Sequence, residues 1–233
     1  MGADDGTAEA DAWEKGMDKD RRFDKAKMVK NADDAWSVDQ ESVELKAYLA
    51  YEYKLLKKFA ALIKQTFNEP DYTANVAEYF FDSETGFFFD RHLSNGDFIK
   101  EEGCEGYIPF WTGIASREQM SRALPLLTDT AKFATYIPFP TVAADNPKFT
   151  PKGYWRGPIW LDQTYFAIKG LRNYGYKDLA DRFTKQVFDR LYGLKEDAPI
   201  HENYGTHTGE LLKAPHFGWS SAHLLLMYEE FGK

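Results

Sequence analysis

Cysteine is nearly missing from this chain: Cys104 stands alone among 233 residues. That excludes an internal disulfide and a thiolate metal cluster. Long apolar runs are missing as well, and none approaches the ~20 residues that a helix needs to span a bilayer. Basic clusters are sparse, with 37 acidic against 29 basic residues and a net charge of −8. Such a chain has no electrostatic footprint for nucleic acid or for an anionic membrane, and neither is expected as a partner. The five His residues, at 92, 201, 207, 216 and 223, form no H-E-x-x-H arrangement. Neither a metal nor an organic cofactor is expected. The opening stretch MGADDGTAEADAWEKG is acidic and has no apolar core, so it does not read as a signal peptide. The compartment stays open.

What the chain does have is aromatic surface: 6 Trp, 14 Tyr and 18 Phe, or 16% of the residues. Flat amphipathic rings suit sugar binding, and they equally suit a Tyr- and Phe-rich core. Residues 1–12 are small, acidic and without periodicity, and read as a disordered lead to a single domain over 13–233. From Glu41 to Phe67, Leu45, Tyr48, Leu49, Leu55, Leu56, Phe59, Leu62 and Ile63 recur at three- and four-residue steps, which predicts a long helix. Asp71 is placed to cap a short helix running through Phe80. FDSETGFFFD (81–90) reads as a turn into an extended stretch. Ser116 caps a helix over 116–127 that Pro125 bends or ends.

Pro158 marks the start and Gly175 the end of a helix whose apolar residues face nearly every direction. The next helix, within 176–193, has one apolar stripe: Leu179, Phe183, Val187 and Leu191. A last helix spans about 220–231. An inner helix followed by an outer amphipathic one suggests stacked helical hairpins closing into a toroid. Roughly seven helices fit this length, fewer than a double ring of twelve requires. The expectation is an all-α partial barrel.

Three segments concentrate residues that bind and cleave sugars: AWEKGMDKDRRFD (12–24), GYWRGPIWLDQ (153–163) and APIHENYGTHTGE (198–210) with APHFGWS (214–220). Splitting an acetal takes two carboxyl groups, one protonated and one ionised, on opposite faces of the bond. Asp18, with Met17 and Phe23 near it in sequence, and Glu202, between Pro199 and Tyr204, are the candidates. They lie 202 − 18 = 184 positions apart. Structural alternatives exist for each: Asp18 as a helix cap, Glu202 in a salt bridge to Arg156 or His216, and Trp155 and Trp160 as core residues at a helix start.

Taken together, WEKGMDKDRRF, YWRGPIWLDQ, LRNYGYKD, PIHENY and FGWSSAHL resemble glycoside hydrolase family 63, the group of bacterial α-glucosidases and processing glucosidase I. The resemblance runs from Trp13 to Phe231 in motif order. It implies the carboxyl-terminal part of an (α/α)6 catalytic domain, with family members carrying further sequence ahead of W-E-x-G-x-D. It also implies an inverting hydrolase acting on α-glucosidic bonds of oligosaccharides, with trehalose or a glycosyl-glycerate as alternative substrates. Asp18 matches the family's general acid and Glu202 its general base, for which inversion sets a separation of ~6.5–9.5 Å. Trp155, Arg156 and Trp160 match the sugar-subsite motif, and Tyr204 follows the base. Trp13, Trp111 and Trp219 are candidate stacking platforms. The charged run Lys19-Asp20-Arg21-Arg22 departs from the family pattern, and a cation beside Asp18 would favour its ionised form. A sugar-binding fragment that complements a separate amino-terminal half is the non-catalytic alternative.

Overall fold

A computed structural model describes residues 16–30, 36–71, 73 and 75–231. The expected disordered lead and Trp13 lie outside these residues. The described part is mostly helical: α1 (Val43–Leu62), α2 (Val76–Tyr79), α3 (Ile108–Trp111), α4 (Arg117–Thr128), α5 (Leu161–Asn173), α6 (Lys177–Arg190) and α7 (Gly218–Phe231). Two 3-10 turns, Arg21–Phe23 and Cys104–Tyr107, join them. Strands are more numerous than an all-α reading allows, though all are short and antiparallel. β1 (Met28–Lys30) pairs with β2 (Trp36–Val38), and β3 (Gln40–Glu41) with β6 (Arg91–His92). β4 (Phe81–Asp82) pairs with β5 (Phe87–Phe88), and β7 (His201–Tyr204) with β8 (Leu211–Pro215).

The centre of the molecule is α5. Its Leu161, Tyr165, Ile168 and Leu171 are buried along with the polar Asp162, Gln163 and Thr164, and it packs on α3, α6 and α7. Gly170 permits the contact with α3, since a Cβ there would lie 3.1 Å from Phe110 Cβ and 3.3 Å from the Trp111 nitrogen. α6 lies outside it and buries Ala180, Phe183, Thr184 and Val187, which is the inner-then-outer helix pair that the apolar patterns predict. Phe87, Phe88, Phe89, Tyr107, Phe133 and Phe139 fill the space between the layers.

Several sequence expectations shift. Pro158 does not open α5, which starts at Leu161 behind an extended N-cap residue, Trp160. Pro125 sits inside α4, which continues to Thr128. Asp71 caps no helix; its carboxylate accepts from Thr73 N at 2.9 Å in a local turn, and α2 starts at Val76. The largest difference is in α1. Its buried face is Val43, Glu44, Ala47 and Ala50, whereas Leu49, Leu56, Phe59, Leu62 and Ile63 are 47–69% exposed. α7 likewise leaves Leu225 and Tyr228 exposed. No described helix is long and apolar enough to cross a membrane.

Candidate active site

The first candidate carboxylate stands on a tight turn. The Asp20 N–H donates to Met17 O at 3.1 Å, and Asp20 Oδ1 accepts from Arg22 N at 3.1 Å, capping the 3-10 turn that follows. The capping residue is therefore Asp20, and Asp18 projects half-buried beside the buried Met17. The two arginines that follow it are drawn elsewhere. Arg22 is buried and donates to Asp90 Oδ2 at 3.2 Å, to Glu44 Oε1 at 2.5 Å and to Met17 Sδ at 3.1 Å. Arg21 pairs with Asp24 and Glu101.

This inner cluster holds an excess of acid. Burial pushes the Asp20 carboxyl up to about 6 despite the attraction of Arg22. Burial, and then the charge of Asp20, raises Glu105 well above the usual carboxylate range. Asp20, Cys104 and Glu105 offer ligand-type atoms within 4.8 Å of one another. Burial pushes the Cys104 thiol up as well.

The second candidate, Glu202, sits on β7 and not on the loop expected for it. β8 opposes it across a register shift between His201 and Asn203, and its Oε2 accepts from Ala214 N at 3.4 Å. Its own carbonyl accepts from Ser220 Oγ of α7 at 2.8 Å. The partner of its carboxylate is neither Arg156 nor His216. Tyr154 donates to Oε1 at 2.6 Å. The Tyr154 phenol is pushed up by burial, then by that hydrogen bond and the charge of Glu202, and finally by the charge of Asp18. Both candidate carboxylates, 184 positions apart, therefore bear on one hydroxyl.

The segment carrying Tyr154 is tied to both sides. Ile159 and Tyr204 exchange two backbone hydrogen bonds, at 2.8 and 3.0 Å. Arg156 donates through Nε to Lys19 O at 2.7 Å and through Nη2 to Asp24. Gly157 (φ +152°) passes so close to residue 150 that a Cβ would lie 2.7 Å from the Thr150 carbonyl oxygen. Four of the six non-glycine residues with positive φ, among those described, are here: Lys19, Tyr154, Lys213 and His216. Lys213 reaches over the Tyr154 ring, 5.6 Å from its centroid.

A cavity of about 270 Å³ adjoins the turn that carries Asp18. Its aromatic walls are Trp155, Trp219, Tyr48 and Phe166, with Met17 and Gly16 from the acid turn. Glu44, Asp162, Gln163 and His223 supply its polar atoms. Of the residues singled out from sequence, Trp155 and Trp219 meet here. Trp160 stacks behind Trp155, with centroids 4.1 Å apart, and is 2% exposed.

Three of the residues singled out from sequence stand outside this cavity. Tyr204 is fully buried and its hydroxyl accepts from His201 N at 3.1 Å, so it belongs to the core. Trp111 lines a separate cavity of about 450 Å³ with Tyr51, Arg117 and Asn173. Arg156 ties its own segment to the Asp18 turn through Lys19 O and Asp24. Tyr154, at Glu202, and Asp162 and Gln163, in the cavity, all stand inside the segment 153–163 but are not singled out by their residue types.

Residues 2–220 match the model of the mannosylglycerate hydrolase MGH1-like glycoside hydrolase domain. The chain is 31% identical over 150 residues to mannosylglycerate hydrolase MGH1 of Selaginella moellendorffii, covering 64% of this chain and 30% of that protein. It is 30% identical over 145 residues to the mannosylglycerate hydrolase of Thermus thermophilus, covering 62% of this chain and 34% of that protein. The structure of a family 63 mannosylglycerate hydrolase from Thermus thermophilus in complex with glucose superposes with a TM-score of 0.70 at 25% identity, covering 82% of this chain and 45% of that one. Neutral trehalase Nth1 of Saccharomyces cerevisiae shares the fold, with a TM-score of 0.68 at 18% identity, covering 82% of this chain and 38% of that one. The chain thus spans about a third of the length of the curated relatives it matches. With its motifs, fold and family match in agreement, it belongs to the MGH1-like branch of glycoside hydrolase family 63.

Proposed function

We propose that this chain carries the acid–base pair of an inverting O-glycosyl hydrolase built on part of an (α/α)6 toroid. Asp18 gives its proton to the glycosidic oxygen as the bond to the anomeric carbon breaks. Glu202 takes a proton from a water whose oxygen attacks that carbon from the opposite face. The observation that carries this reading is the Tyr154 hydroxyl, bonded to Glu202 and under the charge of Asp18, on the residue next in sequence to Trp155 of the cavity wall. The family match favours a glycosyl-glycerate substrate over the α-glucosidic oligosaccharide that the motifs first suggest.

The test is hydrolysis of mannosylglycerate and of an α-glucoside by the wild type, Asp18→Asn and Glu202→Gln. Each variant should lose about 10²–10⁴-fold in turnover, the usual contribution of a general acid or base. NMR of the first-formed anomer reports inversion. Near-normal turnover in either variant sinks the assignment.

A second reading, a sugar-binding portion that needs a separate amino-terminal half for activity, is favoured by the exposed leucines of α1. It predicts sugar binding without hydrolysis until that half is supplied.

A further inference from the structure

The interior around the two 3-10 turns holds more negative charge than its neighbours offset. Asp20, Glu44, Asp90 and Glu105 all bear on a single guanidinium, that of Arg22. Four carboxylates against one buried cation leave charge that nothing in the cluster compensates. Three oxygens there, Asp20 Oδ2, Glu44 Oε2 and Glu105 Oε2, are buried without a hydrogen-bond partner. Arg22 Nε stands 3.8 Å from Asp20 Oδ2, a charge contact outside hydrogen-bond reach. Buried acceptors left unmatched in one place call for a partner from outside the chain.

We propose that Asp20, Cys104 and Glu105 form a structural site for one thiophilic divalent cation of the zinc class. Their ligand-type atoms lie within 4.8 Å of one another, and all three residues are at most 3% exposed. Zinc bonds of ~2.0–2.3 Å would draw these atoms slightly inward. Asp20 caps the first 3-10 turn, and Cys104 and Glu105 open the second. One ion would therefore pin the base of the Asp18 turn to the segment around Cys104. That segment is already fixed, since Cys104 N donates to Thr141 O at 3.0 Å. Gly103 makes room for the Glu105 carboxylate, which a Cβ at that position would strike.

The donor set selects the metal. Magnesium and calcium take oxygen ligands, whereas one thiolate with two carboxylates suits zinc. The thiol loses its proton to solvent as the sulfur–metal bond forms, and the ion enters as the chain folds. Metal and proton compete for the same oxygens, so the Asp20 carboxyl held up by burial belongs to the ion-free chain. The ion's role is positional, and it takes no part in the acid–base step.

The experiment is to unfold the chain with a chelator and a reducing agent, then refold it with Zn²⁺, with Mg²⁺ or with chelator alone. Bound metal and the melting midpoint are measured after desalting. Refolding with zinc should leave about one ion per chain and raise the midpoint by about 5–10 °C over the chelated protein. Magnesium should do neither. Refolding with Co²⁺ should add a near-ultraviolet sulfur-to-metal absorption band, which only Cys104 can supply, as the one cysteine in the chain. Glu105→Gln and Cys104→Ser, with folding checked by circular dichroism, should each abolish zinc retention. If neither variant folds, the cobalt band of the wild type decides alone. A wild type that retains no zinc, as expected of a cluster whose oxygens are satisfied by protons, would overturn the proposal. So would zinc without a cobalt–thiolate band, equal stabilisation by magnesium, or equal retention by a folded variant. None of these outcomes bears on the acid–base reading, which Asp18→Asn and Glu202→Gln test separately.

Discussion

The two candidate carboxylates are held in place by opposite means. Asp18 rides on a short turn with little regular structure of its own, fixed from below by long-range charge pairs from Arg22 to Glu44 and Asp90 and from the side by Arg156 to Asp24. Glu202 rides on a strand, fixed by a backbone ladder to β8, a second backbone pair to Ile159 and one phenolic hydrogen bond. A ladder spreads its support over many modest bonds. A buried ion cluster concentrates support in a few groups, any of which leaves uncompensated charge when removed. The Asp18 side should therefore be brittle and the Glu202 side tolerant.

Removing Arg22 is the severest way to break that contrast. Arg22→Met strands Asp20, Glu44 and Asp90 in the interior, and should cost about 3–5 kcal/mol in denaturant unfolding. A loss under about 1 kcal/mol would mean that water reaches the cluster and that the charges do not define the acid turn.

A gentler probe is pH. The folded state raises the Asp20 carboxyl from its ordinary value near 3.8 to about 6. For a raised acid, the associated stability is fully present below the unfolded value and is lost as pH rises through the folded one. Between about pH 4 and 6 the wild type should lose stability relative to Asp20→Asn, by up to about 3 kcal/mol on linkage arithmetic. The asparagine retains a cap oxygen for Arg22 N. Parallel melting curves for the two proteins across that window would remove Asp20 as the source.

The smallest effect is expected on the Glu202 side. Tyr154→Phe deletes one hydrogen bond and leaves the ladder, so it should cost about 1 kcal/mol in stability. If it proves as damaging as Arg22→Met, the contrast between the two sides fails.

Legibility from sequence follows the range of the interaction. Ser116 and Gln119 form their capping box within three residues, and the stripe of α6 lies on a single helix, so both were readable. The family motifs named Asp18 and Glu202 because residue types at fixed short spacings carried them. The partner of Glu202 was not readable, since Tyr154 reaches it across 48 positions. Nor was the fate of Arg156 and Arg22, whose carboxylates come from remote segments. The apolar steps of α1 predicted a helix correctly but not its orientation. Periodicity reports a face, and only the neighbouring elements decide whether that face is covered.

The positive-φ residues around the site carry a further consequence. Lys19 follows Asp18, Tyr154 holds Glu202, and Lys213 and His216 lie on and just past the opposing strand, each in a conformation that glycine or asparagine adopts more readily. Engineers seeking a hardier protein would find Lys19→Gly or Lys213→Gly attractive, since relief of such strain is worth about 1 kcal/mol per position. The same relaxation would free the turn and the strand to wander, so selection for heat resistance at these positions should enrich sluggish variants.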